Sequence, residues 1–375
     1  MKKYIIILLL ATTTLHLFAQ EADENQSVDE LIKIGIEQYD AKEYKQSIET
    51  FQKALEVEPN SMITTYELAL SYLAIKDYEN ASKFSTIVID SDEEKLLKGA
   101  YGVKSEALAE TGKVDDAIML LINALRLIGD DYYLHFNLAL NYYNKGDLDN
   151  TLLHAEKALN LDKFQSGPFL LSAYALSDKE MWVQSILSFQ FFLLNEPSTH
   201  RTKVAFEEML QAMHVKETTE EPLERSFIQK QLQRHSNKKD TVVNRKNTPR
   251  LDHLDGVDRN LVYSAIKSTL DSLEVTIDKA AIEADSTNTV LYHSFKEVTR
   301  AIFTVLSEEN DGSQQGLFWC YQVPVITRIL ESAHFDTYCR YISVAYFPES
   351  LKWWEDNQET AEKFARWLEI GDEDE

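Results

Sequence analysis

Apolar residues in this chain recur at helical spacing, so the pattern predicts helices rather than strands. From residue 28 to residue 199 they fall into pairs of helix-length segments, each pair split by a short polar turn. One small residue recurs in each first segment, at Gly35, Ala69, Ser105, Ala139 and Ala173, with spacings of 34, 36, 34 and 34. A second small slot, at Ser47, Ala81, Ala117, Thr151 and Ser185, keeps the same spacings. The turns fall at Lys42-Glu43-Tyr44, Lys76-Asp77-Tyr78, Gly112-Lys113-Val114, Gly146-Asp147-Leu148 and Glu180-Met181-Trp182. Markers that share one period predict five copies of one helical hairpin. Small residues let paired helices approach, and large ones such as Phe51, Leu121 and Phe189 fill the gap between repeats. One hairpin cannot bury its apolar face, so neighbours stack into a solenoid with a concave surface.

The hairpins resemble the tetratricopeptide repeat (TPR) family over residues 28–199. In the first unit Leu31, Ile34, Gly35, Ser47, Phe51, Ala54 and Pro59 take the motif places, and Gln38 departs from it where an aromatic is usual. The fourth unit keeps Leu138, Ala139, Tyr142, Gly146, Ala155 and Ala158, and the fifth keeps Ala173, Phe189 and Pro197. The second and third are weaker, with Ser85 and Val88 where a large aromatic and an alanine are expected. The resemblance implies that the first helix of each pair lines a partner-binding groove. Stepping from the packed small residue toward that face selects Ile32, Ile36, Tyr39, Tyr66, Leu70, Leu73, Phe136, Leu140, Tyr143, Leu170 and Tyr174. The third unit offers only Gly102, Glu106 and Ala109, a thin and slightly acidic spot. Many family members clamp a partner's terminal carboxylate there with Lys, Arg and Asn, whereas these positions are apolar or aromatic. Tyr and Phe are good anchors for a protein partner. An apolar stripe of this kind is covered either by such a partner or by the protein's own C-terminal half.

Residues 200–215 read as a capping helix through Val204, Phe206, Met209, Leu210 and Met213. Between 216 and 256 the apolar period fades and the charge turns basic, through Arg225, Lys230, Arg234, Lys238, Lys239, Arg245, Lys246 and Arg250, which reads as a polar linker. The helical period returns over 257–370. Helices are predicted at 261–277, 289–308, 317–330, 335–346 and 351–368, and residues 371–375 form an acidic tail. The expected architecture is therefore all-α, a TPR helical-hairpin solenoid followed by a separate helical domain.

The N-terminus adds a destination. Lys2 and Lys3 precede the apolar run 4–11, and Ala19 offers a cleavage point before the polar Gln20-Glu21, so residues 1–19 read as a signal peptide. The run is too short to span a membrane. Its ending, Phe18-Ala19-Gln20, resembles exported proteins of Bacteroidetes-type Gram-negative bacteria. A periplasmic protein is expected, with a secreted one as the alternative. The formal net charge of −24 opposes binding to nucleic-acid phosphates.

Catalytic signatures are missing from the sequence: it has no HExxH, GxSxG, P-loop, GxGxxG or metal-spaced histidines, so no cofactor and no enzyme activity is expected. His293 and Glu297, four apart on one helix, are too few to hold a metal. Cys320 and Cys339 are expected as two buried thiols, since their axial offset on a helical hairpin exceeds disulfide reach. The expected function is protein–protein interaction as an envelope scaffold. The alternative places an enzymatic or glycan-binding activity in the aromatic C-terminal region, for instance at Trp353 and Trp354.

Overall fold

Left-handed backbone conformation falls at the same place in every hairpin turn, at Lys42 (φ 64°), Lys76 (65°), Gly112 (82°), Gly146 (79°) and Glu180 (59°). These positions keep the period of the two small slots. Each turn closes with the same bond pair. In the first, the Lys42 amide donates to the Tyr39 carbonyl at 2.9 Å and the Glu43 amide to that of Gln38 at 2.8 Å. In the fifth, Glu180 and Met181 donate to Ser177 and Leu176 at 2.9 and 2.8 Å. Such a pair of bonds is how a left-handed residue satisfies the last carbonyls of a helix. The second helices of repeats two and four then start on side-chain caps, Asp77 accepting from the Asn80 amide and Asp147 from that of Asn150.

The structure, a computed structural model, describes residues 27–91, 93–216, 256–276 and 289–370. The five hairpins are α1 (Val28–Asp40) with α2 (Tyr44–Val57), α3 (Met62–Ala74) with α4 (Tyr78–Ile89), α5 (Glu94–Glu110) with α6 (Val114–Ile128), α7 (Tyr132–Lys145) with α8 (Leu148–Leu161), and α9 (Ser166–Asp178) with α10 (Trp182–Asn195). Helix α11 (Thr202–Ala212) follows, then α12 (Arg259–Thr276), α13 (Thr289–Glu309), a π-helical turn at Phe318–Gln322, α14 (Val323–Glu331), α15 (Phe335–Ile342), α16 (Pro348–Asp356) and α17 (Gln358–Ile370). The fold is all-α. All ten small positions of the repeat are buried.

The chain divides into two compact units between Leu127 and Ile128. The first holds repeats one to three, packed through Ile48, Phe51 and Leu68 and through Ala69, Ala81, Val103 and Ala107. Where the motif's aromatic is replaced by Ser85, the preceding Phe84 stacks on Tyr72 at 5.5 Å instead.

In the second unit, apolar side chains of residues 257–370 join those of repeats four and five in one continuous cluster. The cause is α10, whose residues Val183–Leu193 are buried in an unbroken run. A helix apolar all round needs cover on every side, and a hairpin partner covers only one. The π turn, α11 and α15 supply the rest. Tyr338 donates to the Gln190 Oε1 at 3.1 Å, and Phe191 lies 5.5 Å from the Tyr321 ring. Phe206 of α11 sits among Phe295, Tyr346 and Phe347, with centroids at 5.0, 4.8 and 5.6 Å.

Two corrections belong here. The helix expected over 351–368 breaks at Asn357, whose side-chain amide donates back to the Trp353 carbonyl at 2.7 Å and ends α16. Both cysteines are free, but only Cys339 is buried, and Cys320 is exposed. The expected signal peptide, most of the expected linker and the expected acidic tail lie outside the described residues. None of the described helices is long and apolar enough to cross a membrane.

Candidate partner-binding surface

The eleven groove positions fall into two environments. In the first unit Ile32, Ile36, Tyr39, Tyr66, Leu70 and Leu73 are all half-buried, and Ile36, Tyr66, Leu70 and Leu73 rest on the repeat core. In the second unit Phe136 and Leu140 are half-buried, while Tyr143, Leu170 and Tyr174 are 2%, 1% and 1% exposed. Those three belong to the cluster that the C-terminal helices share. Tyr143 also spends its hydroxyl within the unit, donating to Asp178 at 2.8 Å. Accessible side chains of the stripe therefore concentrate in repeats one and two.

Glycines set how two of these aromatics stand. A Cβ on Gly99 of α5 would lie 2.2 Å from the Tyr66 hydroxyl oxygen, and one on Gly167 of α9 would lie 2.7 Å from the Phe136 ring. Tyr66 and Phe136 each precede their packed small residue by three positions, and Gly99 and Gly167 precede theirs by six. The same contact thus recurs between repeats two and three and between repeats four and five, each inside its own unit. Both aromatics serve packing as well as surface.

The electrostatics of the first unit's face were the least visible from sequence. The Tyr39 hydroxyl is pushed up by burial and by the negative field of Tyr44, Glu67, Glu106 and Asp40. Tyr39, Glu67 and Glu106 sit on α1, α3 and α5, the first helices of three successive repeats. Burial and then Asp40 raise the Glu67 carboxyl, and burial and then Glu110 raise that of Glu106. Glu110 in turn accepts from the Tyr78 hydroxyl at 2.9 Å. Among the described residues, neither Glu67 nor Glu106 pairs with a cation. Only Glu106 stood out in the sequence. The remaining signal was there, since Glu67 adjoins Tyr66 and Asp40 adjoins Tyr39.

Among the C-terminal candidates, Trp353 and Trp354 are both half-buried. Trp354 rests on Tyr341 at 5.0 Å, at the edge of the shared core. Glu297 pairs with Arg300 at 3.4 Å and with Lys296 at 3.8 Å, and His293 is exposed. The described residues hold no group of three or more His, Cys, Asp or Glu suited to a metal ion.

The chain is 26% identical over 125 residues to a TPR repeat-containing protein of Methanocaldococcus jannaschii, a match covering 33% of this chain and 22% of that one. The repeats are similar to tetratricopeptide repeats. Among solved structures, a thermophilic TPR protein of Thermus thermophilus is similar at 18% identity and a TM-score of 0.43, over 50% of this chain and all of that one. The pilF protein of Pseudomonas aeruginosa is similar at 18% identity and a TM-score of 0.42, over 50% of this chain and 84% of that one. No family model matches the chain. It spans about a fifth of the curated relative's length.

Proposed function

We propose that this TPR-type protein is an exported scaffold of the cell envelope that holds a partner protein on the face formed by repeats one and two. One observation carries the reading. The stripe of Ile32, Ile36, Tyr39, Tyr66, Leu70 and Leu73 stays half-open, whereas Tyr143, Leu170 and Tyr174 in the fourth and fifth repeats are buried within their own unit. Half-open apolar and aromatic side chains on a rigid helical frame gain the most from being covered by another chain. Export rests on the leader-like pattern of residues 1–19.

Crosslinking and capture from an envelope extract tests the reading, with the native chain beside an Ile36→Ser/Leu70→Ser/Leu73→Ser variant whose helicity is checked by circular dichroism. Partners held by the native chain and lost by the folded variant support it. An unchanged partner set moves the function to the second unit.

A further inference from the structure

We propose that the second unit carries a binding site for a small neutral molecule, a ring-sized apolar body bearing an amide or alcohol group, in the cavity that α8, α9 and α10 form with the π turn. The site stands apart from the partner face of the first unit and does not rest on it.

The cavity measures about 420 Å³ and is half-enclosed. Its wall includes Glu156 from α8, Phe169 and Ser172 from α9, Ser188 from α10, and Phe318 and Gln322 from the π turn. In that wide turn residues four apart share a side, and such turns are frequent at functional sites. The walls are held in place. The Leu317 amide, just before the π turn, donates to the Glu156 Oε1 at 3.0 Å. Phe169 is backed by Phe191 at 5.2 Å and Phe318 by Trp319 at 5.1 Å. A ligand therefore meets a site that is already formed.

Three polar side chains of the wall lack what the fold gives their equivalents elsewhere. Ser172, Ser188 and Gln322 are 9%, 2% and 4% exposed, and none makes a side-chain hydrogen bond among the described residues. The buried hydroxyls of Ser85, Thr299 and Ser343 instead each donate to the carbonyl four residues back, at 2.7, 2.8 and 2.7 Å. A buried polar group without a partner is costly, so three around one cavity mark a place built to be filled. Water alone fills it poorly, because the Phe169 and Phe318 rings offer it no bond.

The same wall sets the class of ligand. Serine hydroxyls and a glutamine amide each donate and accept, which matches an amide or an alcohol. Two phenyl rings suit a flat or compact apolar body. Glu156 is the one charged side chain of the wall, and among the described residues lining the cavity there is no Lys, Arg or His. An anion would meet that carboxylate with no cation to offset its loss of water. A cation would compete with the Leu317 amide for it. The neutral ligand is the one that leaves the Glu156–Leu317 bond intact.

The test is titration of the full chain, followed by ligand-observed NMR, with benzamide and benzyl alcohol as neutral probes. Benzoate, benzylamine and toluene serve as anionic, cationic and apolar counterparts of similar size. Two variants, with helicity checked by circular dichroism, locate the binding. Gln322→Met/Ser188→Ala keeps the shape of the cavity and removes polar groups, and Ser172→Phe fills the space. At least one neutral probe is expected to bind the native chain with a Kd of about 1 mM or tighter, and about tenfold more tightly than the three counterparts. It should lose about tenfold on Gln322→Met/Ser188→Ala and should not bind Ser172→Phe. The first variant should also unfold at a higher temperature than the native chain, since unsatisfied groups are gone. Should Ser172→Phe fail to fold, the first variant decides alone. If neither neutral probe binds, or if both bind Gln322→Met/Ser188→Ala as tightly as the native chain, the proposal falls. Toluene binding as tightly as the neutral probes reduces the cavity to an apolar void, and benzoate or benzylamine doing so overturns the neutral class.

Discussion

Tyr66 lies so close over Gly99 that a Cβ there would come within 2.2 Å of its hydroxyl oxygen, and a Cβ on Gly35 would come within 2.4 Å of the Phe51 ring. The two contacts differ in what can yield. Phe51 is fully buried, while Tyr66 is half-open and touches the glycine with the far end of its ring. Gly→Ala inside a helix gains about 1 kcal/mol of intrinsic propensity. Overpacking a core that cannot relax costs about 1–3 kcal/mol. Gly35→Ala is therefore expected to lower the midpoint of chemical denaturation, and Gly99→Ala to leave it near the native value as Tyr66 swings outward. Equal destabilisation by both would show that Tyr66 is held as firmly as Phe51.

The hairpin turns give a second comparison. Lys76 holds a left-handed conformation that costs a side-chain-bearing residue about 1 kcal/mol, while Gly146 holds it freely. Lys76→Gly should stabilise the first unit by roughly that amount, and Gly146→Ala should destabilise the second by a similar amount. Thermal unfolding of the two variants, read against the native protein, decides whether the turns carry this strain.

Acid should loosen the second unit through its buried histidine pair. The Nδ1 atoms of His135 and His154 share a bond of 2.9 Å, and His154 stacks on Tyr142 at 5.5 Å. Burial, then His135 and Lys157, bring His154 down to about 4 from its ordinary 6.5. The native state therefore binds fewer protons than the unfolded one. Stability is complete above the unfolded value and declines as pH falls through it toward about 4, by about 2–3 kcal/mol in all. Denaturant unfolding at pH 7, 5.5 and 4.5 should show that decline, and His154→Gln should flatten it. A native curve as flat as that of the variant would refute the assignment.

Ending the chain at residue 216 removes the helices that cover α10 and α11. Phe191, Phe192, Phe206 and Met209 are all buried, and they join the C-terminal side chains in one cluster. The shortened protein is expected to bind a hydrophobic dye and to self-associate at concentrations where the full chain does neither. A well-behaved, dye-silent fragment would mean that repeats four and five complete their own core.

What the sequence showed was the part of the fold governed by local repetition. Small residues at 34-residue spacing locate every hairpin because one register rule acts at Gly35, Ala69, Ala139 and Ala173 alike. The union of the C-terminal helices with the last repeats was less visible, since periodicity reports which face of a helix is apolar and not what meets it. One sign was present. The run Trp182–Asn195 has apolar residues on every side, more than a single hairpin partner can cover. The groove was legible as a stripe of residue types, but its division into open and closed stretches depended on that same union. Carboxylates such as Glu67 were passed over because a glutamate beside a tyrosine looks in sequence like any solvated helix face.

The reach of the bonds within each unit implies an order of events during synthesis. In the first unit a side-chain bond such as that from Tyr78 to Glu110 spans 32 residues, so its parts leave the ribosome almost together. In the second, Gln190 waits for Tyr338 across 148 residues and Glu207 for Tyr346 across 139. Closing such long loops is slow compared with joining neighbours. The first three repeats should settle while translation continues, and α10 should stay unfinished until the chain is almost released. Cys339, buried in that late core, is a built-in clock: pulsed thiol labelling during refolding should find it reactive after the first unit has regained its helicity. In this interval the exposed α10 is the segment most in need of a chaperone.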